Sequence, residues 1–153
     1  MRAFVDASIL VAAALGPRGA SRVILGLAKE HAIVVIITKN GVEEALSSMR
    51  RKYGTQSLHS LHLLLKEIRS SIYPTPSQAE QRAVQDLIDD PRDYHILAGA
   101  IKYKAKSLIT FDRRHFFTKT LEEADLGFVI ELPGQFLERY RGEEKQSSKL
   151  LND

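Results

Sequence analysis

Ile33-Val34-Val35-Ile36-Ile37-Thr38 is a continuous β-branched run with no polar side chain before Thr38. A strand with one wet face alternates apolar and polar residues, whereas a strand covered by helices on both faces does not. The run therefore predicts a buried strand of a parallel sheet. Its surroundings agree. Upstream, Arg2 to Val5 reads as a strand and Ser8 to Leu15 as a helix closed by Gly16-Pro17-Arg18-Gly19. Ser21 is the expected cap of a second helix, with Val23, Ile24, Leu27 and Ala28 on one face. Downstream, Asn40 is the expected cap of a helix that runs to Tyr53 and stops at Gly54. A leucine-rich helix follows from Ser57 to Ile68, then Ile72-Tyr73-Pro74, a strand limited by its proline. Helices at Ser77 to Ile88 and Asp93 to Ala105, strands at Ser107 to Phe111 and Phe128 to Leu132, and a short helix at Gln135 to Arg141 complete the pattern. This alternation predicts the α/β class: one domain over residues 1–141, with a central, largely parallel β-sheet flanked by helices. The polar residues 142–153 are expected to fray.

Composition narrows the function classes. With 44% hydrophobic and 27% charged residues in 153, the chain is neither disordered, collagen-like nor a coiled coil. The absence of cysteine excludes a disulfide framework, a thiolate zinc site and a cysteine nucleophile, and suits a reducing cytosol. The longest apolar runs fall far short of the ~20 residues a bilayer demands, and the start Met1-Arg-Ala-Phe-Val-Asp6 breaks into an acid at the sixth residue, so no signal peptide is read. The expectation is a soluble, cytoplasmic protein without membrane contact. A net charge of +3 permits a polyanionic partner without requiring one.

Parallel sheets place their sites beyond the carboxyl ends of the strands. The residues that follow Arg2–Val5 and Ser107–Phe111 are Asp6 and Asp112. Helix capping explains either one alone. Asp93 heads a stripe with Ile96, Leu97, Ala100 and Ile101, the spacing of a buried helix face, and capping does not explain an acid buried beside other acids. Glu43-Glu44 lies one turn into the helix after the Ile33–Thr38 strand; Val42, Leu46, Met49 and Tyr53 mark its apolar face, so periodicity favours Glu43. Like charges a few Å apart repel by roughly 4 kcal/mol at an effective dielectric of about 20. A fold that gathers these acids needs a cation among them or shared protons. An all-oxygen set selects a hard cation, Mg²⁺ or Mn²⁺.

The segments Phe4-Val-Asp-Ala-Ser-Ile-Leu-Val11, Val42-Glu-Glu-Ala-Leu46, Asp90-Pro-Arg-Asp-Tyr-His-Ile-Leu-Ala-Gly-Ala100 and Ser107-Leu-Ile-Thr-Phe-Asp112 resemble PIN-domain ribonucleases. The most specific part is Asp93-x-x-Ile-Leu-Ala-x-Ala followed by Leu-Ile-Thr-x-Asp112. The resemblance runs from Phe4 to about Leu137 and is nearest the toxin components of bacterial and archaeal toxin–antitoxin pairs. It implies a catalytic and metal-holding set of Asp6, Glu44, Asp93 and Asp112 with Mg²⁺ or Mn²⁺. Single-stranded RNA is then cut by metal-activated water, leaving 5′-phosphate and 3′-hydroxyl ends. The family glutamate is followed at once by an apolar residue, which selects Glu44-Ala45 over Glu43. Ser8 and Thr110 fall at the family's polar positions and, with Arg113 and Arg114, are the expected substrate contacts. An antitoxin protein and a homodimer are the implied partners. Phe111 departs from the small residue usual before the last aspartate, and Gly54 to Ser70 is an insertion relative to the smallest members.

The remaining candidates are weaker. His59 and His62 share a spacing that suits a metal, but a two-histidine site needs further ligands, so a solvated pair is expected. His115 is close enough to Asp112 to meet a phosphate. Arg50-Arg51-Lys52 reads as dipole partners of a helix C-terminus. Neither a Gly-x-Gly-x-x-Gly nor a Walker loop occurs. Leu58, Leu61, Leu63, Leu64, Leu65 and Ile68 exceed one helix face, a second pointer to a dimer near residues 57–68. Against the nuclease stand a catalytically silent PIN-like module that binds RNA or protein, and a receiver-like phosphoacceptor domain with a single working aspartate.

Overall fold

The computed structural model describes residues 1–151. Its strands are β1 (Arg2–Val5), β2 (Val34–Thr38), β3 (Ile72–Tyr73), β4 (Ser107–Ile109) and β5 (Val129–Glu131). They form one sheet in the order β3-β2-β1-β4-β5, and every pairing is parallel. Phe4 stands opposite Ile36 on one side and Leu108 on the other. The helices are α1 (Ala7–Leu15), α2 (Ala20–Lys29), α3 (Lys39–Tyr53), α4 (Leu58–Glu67), α5 (Gln78–Arg82), α6 (Tyr94–Lys102), α7 (Arg113–Phe116), α8 (Lys119–Glu123) and α9 (Pro133–Leu150). This is the expected α/β architecture. No single helix among the described residues is long and apolar enough to cross a membrane.

Strand side chains alternate between the two faces of the sheet. Ala3, Val5, Val35 and Ile37 join one core with Leu10 of α1, Ile24 of α2, Met49 of α3, Leu61 of α4 and Phe136 of α9. Phe4, Ile36 and Leu108 join the other, with Leu97 of α6 and Phe116 of α7. Both faces of β2 are thereby covered, which is why its sequence shows no alternation.

Several boundaries differ from expectation for local reasons. Thr38, not Asn40, caps α3 by accepting from the amide of Gly41, so the last strand residue doubles as the cap. Gly19, not Ser21, precedes α2, and Ser21 is buried inside it. The helix expected over Ser77–Ile88 ends at Arg82; Val84 and Ile88 reach the core from turns instead. In the Asp93 stripe, Ile96, Leu97 and Ala100 are buried but Ile101 is 43% exposed. One-turn helices α7 and α8 follow Asp112 and Thr118, too short to carry a periodic stripe; each is capped by the preceding side chain. The final helix continues past Arg141 to Leu150, supported by Arg139–Glu143 at 2.6 Å and Tyr140–Glu144 at 2.9 Å. Arg139 also reaches the buried Glu131 of β5 at 2.6 Å. The leucine excess of α4 is largely absorbed within the chain: Leu58, Leu61, Leu64 and Ile68 are buried, and Leu63 is the one left exposed.

Candidate active site

In this sheet the chain moves from β1 outward through β2 and β3, then returns to the other side of β1 for β4 and β5. The reversal leaves a crevice between the carboxyl ends of β1 and β4, where open α/β sheets bind ligands. Asp6 follows β1 directly and Asp112 lies just past β4. Two helices bring acids to the same edge, α3 with Glu44 near its start and α6 with Asp93 immediately before it.

Asp6 is buried, 5% exposed. Its Oδ1 accepts from the Ser8 amide at 3.1 Å and the Ser8 hydroxyl at 2.5 Å, and its Oδ2 accepts from the Thr110 hydroxyl at 2.5 Å. Burial pushes its pKa up, and the hydroxyls of Ser8 and Thr110 pull it back part of the way. Thr110 Oγ1 in turn accepts from the Asp112 amide at 3.0 Å, so a single hydroxyl joins the first and last acids of the set. Ser8 and Thr110 therefore spend their hydroxyls on Asp6. Asp6 and Asp112 do cap α1 and α7, as the bland reading holds.

Asp93 caps nothing. Its Oδ2 is buried without a hydrogen bond. Burial pushes its pKa up to about 6, aided by the charges of Asp112, Asp90 and Glu44 and opposed by His115. The His115 ring stands among the acids: Nδ1 is 2.7 Å from Asp112 Oδ2 and 3.4 Å from Asp93 Oδ2, and Nε2 is 4.0 Å from Asp90 Oδ2. The hydrogen bond to Asp112 raises its pKa. Asp90 is gripped by the Arg92 guanidinium, 2.7 Å at the closest atom, which holds its carboxyl down to about 2.

Of the two candidate glutamates, the structure brings Glu44 to the site. It lines the crevice and meets His95 Nε2 through Oε1 at 2.7 Å, while Glu43 is exposed and off the lining. Periodicity favoured Glu43 because it sees only the helix's own apolar face, not a histidine on α6. The crevice is an open groove of about 680 Å³ whose walls include Ser8, Glu44, Asp90, Asp93, Asp112 and His115.

Arg113 and Arg114 are not on that wall. The Arg113 guanidinium lies 5.9 Å from the Phe117 ring, and Arg114 borders a separate, small pocket with Asp86 and Thr118. Phe111 is 49% exposed and also off the lining, so it does not block the groove. His59 and His62 are exposed and outside the metal-capable group among the described residues. Sequence reasoning passed over His95 and Asp90. A histidine inside the apolar run Tyr94-His95-Ile96-Leu97 needs a polar partner, and that was the available signal.

The residues present fit a divalent cation. Asp90, Asp93 and His115 each offer a ligand atom within 4.8 Å of the others, and the buried Asp93 oxygen has no hydrogen bond to compete with a cation. Carboxylate oxygens select Mg²⁺ or Mn²⁺, and an imidazole nitrogen tilts such a set toward Mn²⁺.

The model of the PIN domain matches residues 2–114, which takes in Asp6, Glu44, Asp93 and Asp112. The chain belongs to the PIN-domain family. Solved structures share the fold of this PIN domain. VapBC2 from Rickettsia felis, bound to a DNA fragment from its promoter, aligns with 86% of this chain and 98% of that chain at 18% identity and a TM-score of 0.63. FitAB bound to an IR36 DNA fragment aligns with 86% of this chain and 94% of that chain at 16% identity and a TM-score of 0.58. At such identities the likeness is one of fold. No curated protein matches the chain closely enough to count as a relative.

Proposed function

We propose that this PIN domain is a Mg²⁺- or Mn²⁺-dependent endoribonuclease that cleaves single-stranded RNA. In the same reading it is the toxin of a toxin–antitoxin pair, held in check by an antitoxin protein and acting in the cytoplasm. The observation that carries the reading is the convergence of Glu44 of α3, Asp93 before α6 and Asp112 after β4 on one groove at the sheet's reversal point, with Asp6 buried behind them and joined to Asp112 through the Thr110 hydroxyl. VapBC2 and FitAB, with their DNA fragments, support the pairing with an antitoxin.

By the family resemblance Asp6, Glu44, Asp93 and Asp112 would hold the metal; the residues whose ligand atoms lie within 4.8 Å of one another are Asp93, Asp90 and His115. A bound divalent cation lowers the pKa of water and stabilises charge on a phosphodiester. The chain's own residues do the rest. Ser8 and Thr110 fix both oxygens of Asp6, which keeps the carboxylate aimed despite its burial. His95 fixes Glu44. Asp93, with one oxygen left without a hydrogen bond, would hold the cation or orient the attacking water.

The test is cleavage of a labelled single-stranded RNA with Mn²⁺, repeated in EDTA and with Asp93→Asn. Cleavage lost in both controls supports the reading. The silent-module alternative has one observation in its favour, the His115 ring that stands among Asp112, Asp93 and Asp90 where a cation would otherwise be needed. RNA binding without cleavage at any metal concentration would establish it instead.

A further inference from the structure

The face of α3 that carries Glu44 continues along the helix as Ser47, Ser48, Arg51 and Lys52, at the i+3, i+4, i+7 and i+8 spacing that keeps side chains aligned. All of them line the groove, with Tyr53 at its far end, while Ala45 and Met49 on the opposite face are buried in the core. We propose that this face is the RNA-holding wall of the groove, with Arg51 and Lys52 contacting backbone phosphates and Tyr53 stacking on a base. The inference rests on the ribonuclease reading and assigns its substrate contacts.

Helix rise puts Lys52 about 12 Å from Glu44, room for a few nucleotides beyond the cut. The charges are arranged for a polyanion. A strand entering a groove walled by Glu44, Asp93 and Asp112 is repelled unless cations hold it nearby. Arg92 also borders the groove, but it is committed to Asp90. Arg51 and Lys52 have no acidic partner within 4.0 Å among the described residues. A helix C-terminus attracts cations whatever they do, and Arg50, off the groove, already meets that need. The dipole does not explain why the next two cations share the acids' groove. Ser47 and Ser48 add hydroxyl donors between the acids and the cations. Tyr53 is 52% exposed, so its amphipathic ring is accessible to a base. Arg113 and Arg114, the contacts the sequence favoured, lie outside this path.

The experiment uses the full chain and a fluorescein-labelled RNA of a dozen nucleotides. Anisotropy in EDTA, from about 50 to 200 mM salt, reads binding without cleavage. Arg51→Ala with Lys52→Ala is expected to weaken binding and to flatten the log–log salt slope by roughly 1.4, the value for two lost phosphate contacts on a single strand. Tyr53→Ala is expected to lose about tenfold at unchanged slope, and Tyr53→Phe to restore it. Arg113→Ala with Arg114→Ala is expected to change neither. An unchanged slope in the Arg51–Lys52 variant overturns the proposal, as does a slope that falls in the Arg113–Arg114 variant instead. A groove that serves a protein segment would leave RNA affinity indifferent to all three wall substitutions, which also overturns it. Cleavage of the same RNA with Mn²⁺ separates the two readings. A wild type that cleaves, with KM unmoved by the wall variants, removes only the wall. A wild type that neither binds nor cleaves removes the ribonuclease reading with it.

Discussion

His95 Nε2 lies 2.7 Å from Glu44 Oε1, a contact that joins α6 to α3 across 51 residues of sequence. The ring is buried and its other nitrogen has no hydrogen bond, so among the described residues Glu44 is the one polar side chain His95 serves. A carboxylate near a metal is aimed by such a neighbour. His95→Phe keeps the bulk of the ring and removes the hydrogen bond. It is expected to lower Mn²⁺ affinity by about 10- to 100-fold in calorimetry while the fold persists. Unchanged affinity would reduce His95 to packing.

Asp93 has a folded pKa of about 6, above the ordinary carboxylate value. Below about pH 4 folded and unfolded chains both hold the proton and no stability is lost. Between there and pH 6 the unfolded chain ionises first, so the folded state weakens as pH rises, and above 6 the loss is complete. Asp93→Asn removes that loss without removing a cap. In EDTA at pH 8 the variant is expected to be more stable than the wild type by about 1–3 kcal/mol, with the difference gone below about pH 4. Thermal melts at the two pH values check this. Asp6→Asn should show a smaller gain, because it disturbs the hydroxyls of Ser8 and Thr110. A drop in melting temperature for Asp93→Asn would mark the carboxylate as structural.

His115 acts in the same direction over a higher pH window. Its folded pKa is raised by Asp112, so its contribution to stability is full below about pH 6.5 and is lost as pH rises through the folded value. The metal-free wild type should therefore lose melting temperature above pH 6.5, and His115→Gln should lose less. A divalent cation held by Asp93 and His115 would compete with the proton on the ring, whose affinity for it the neighbouring Asp112 raises. At pH 7.5 the calorimetric enthalpy of Mn²⁺ binding is expected to vary with the ionisation heat of the buffer, and less so in His115→Gln. Identical buffer dependence in the two proteins would rule out His115 as the proton's source.

The parts of this fold that the sequence discloses are those where one local rule acts alone. β2 is covered on both faces, so Val35, Ile36 and Ile37 print as an unbroken apolar run. Asp6 and Asp112 stand out because each closely follows a strand. Thr38 is harder to read as a cap because it is also the last residue of β2. The Glu44–His95 contact and the link from Asp6 through Thr110 to Asp112 are tertiary, and no spacing encodes them. The stripe from Glu44 to Lys52 was present in the sequence, but dipole preference alone accounts for cations at that helix end. Only the groove shows that the stripe and the acids share a wall.

Self-association is the expectation that the fold supports least through α4. Leu58, Leu61 and Leu64 serve the chain's own core, and Leu63 at 49% exposure is what remains. Light scattering of the wild type at micromolar concentration is expected to give a dimer, and Leu63→Glu to weaken it. A monomeric wild type removes the dimer. A dimer untouched by Leu63→Glu places its interface away from α4.

Gly99 sets how closely α6 approaches the sheet. A Cβ built there would stand 2.6 Å from Phe4 Cε2 and 2.8 Å from Cζ, closer than real side chains allow. Phe4 is 1% exposed on the central strand, so its ring has nowhere to retreat. Gly99→Ala must therefore lift α6 from β1 or force the ring off its rotamer, at a cost of about 1–3 kcal/mol that outweighs alanine's better helix propensity. Asp93 and His95 lie at the start of that helix and move with it. The variant is expected to melt lower and also to bind Mn²⁺ more weakly. Gly142→Ala in α9, where an added Cβ meets nothing within 4 Å, is the control and should change neither. A destabilised Gly99→Ala with unaltered Mn²⁺ affinity would show that the site tolerates a shift of α6.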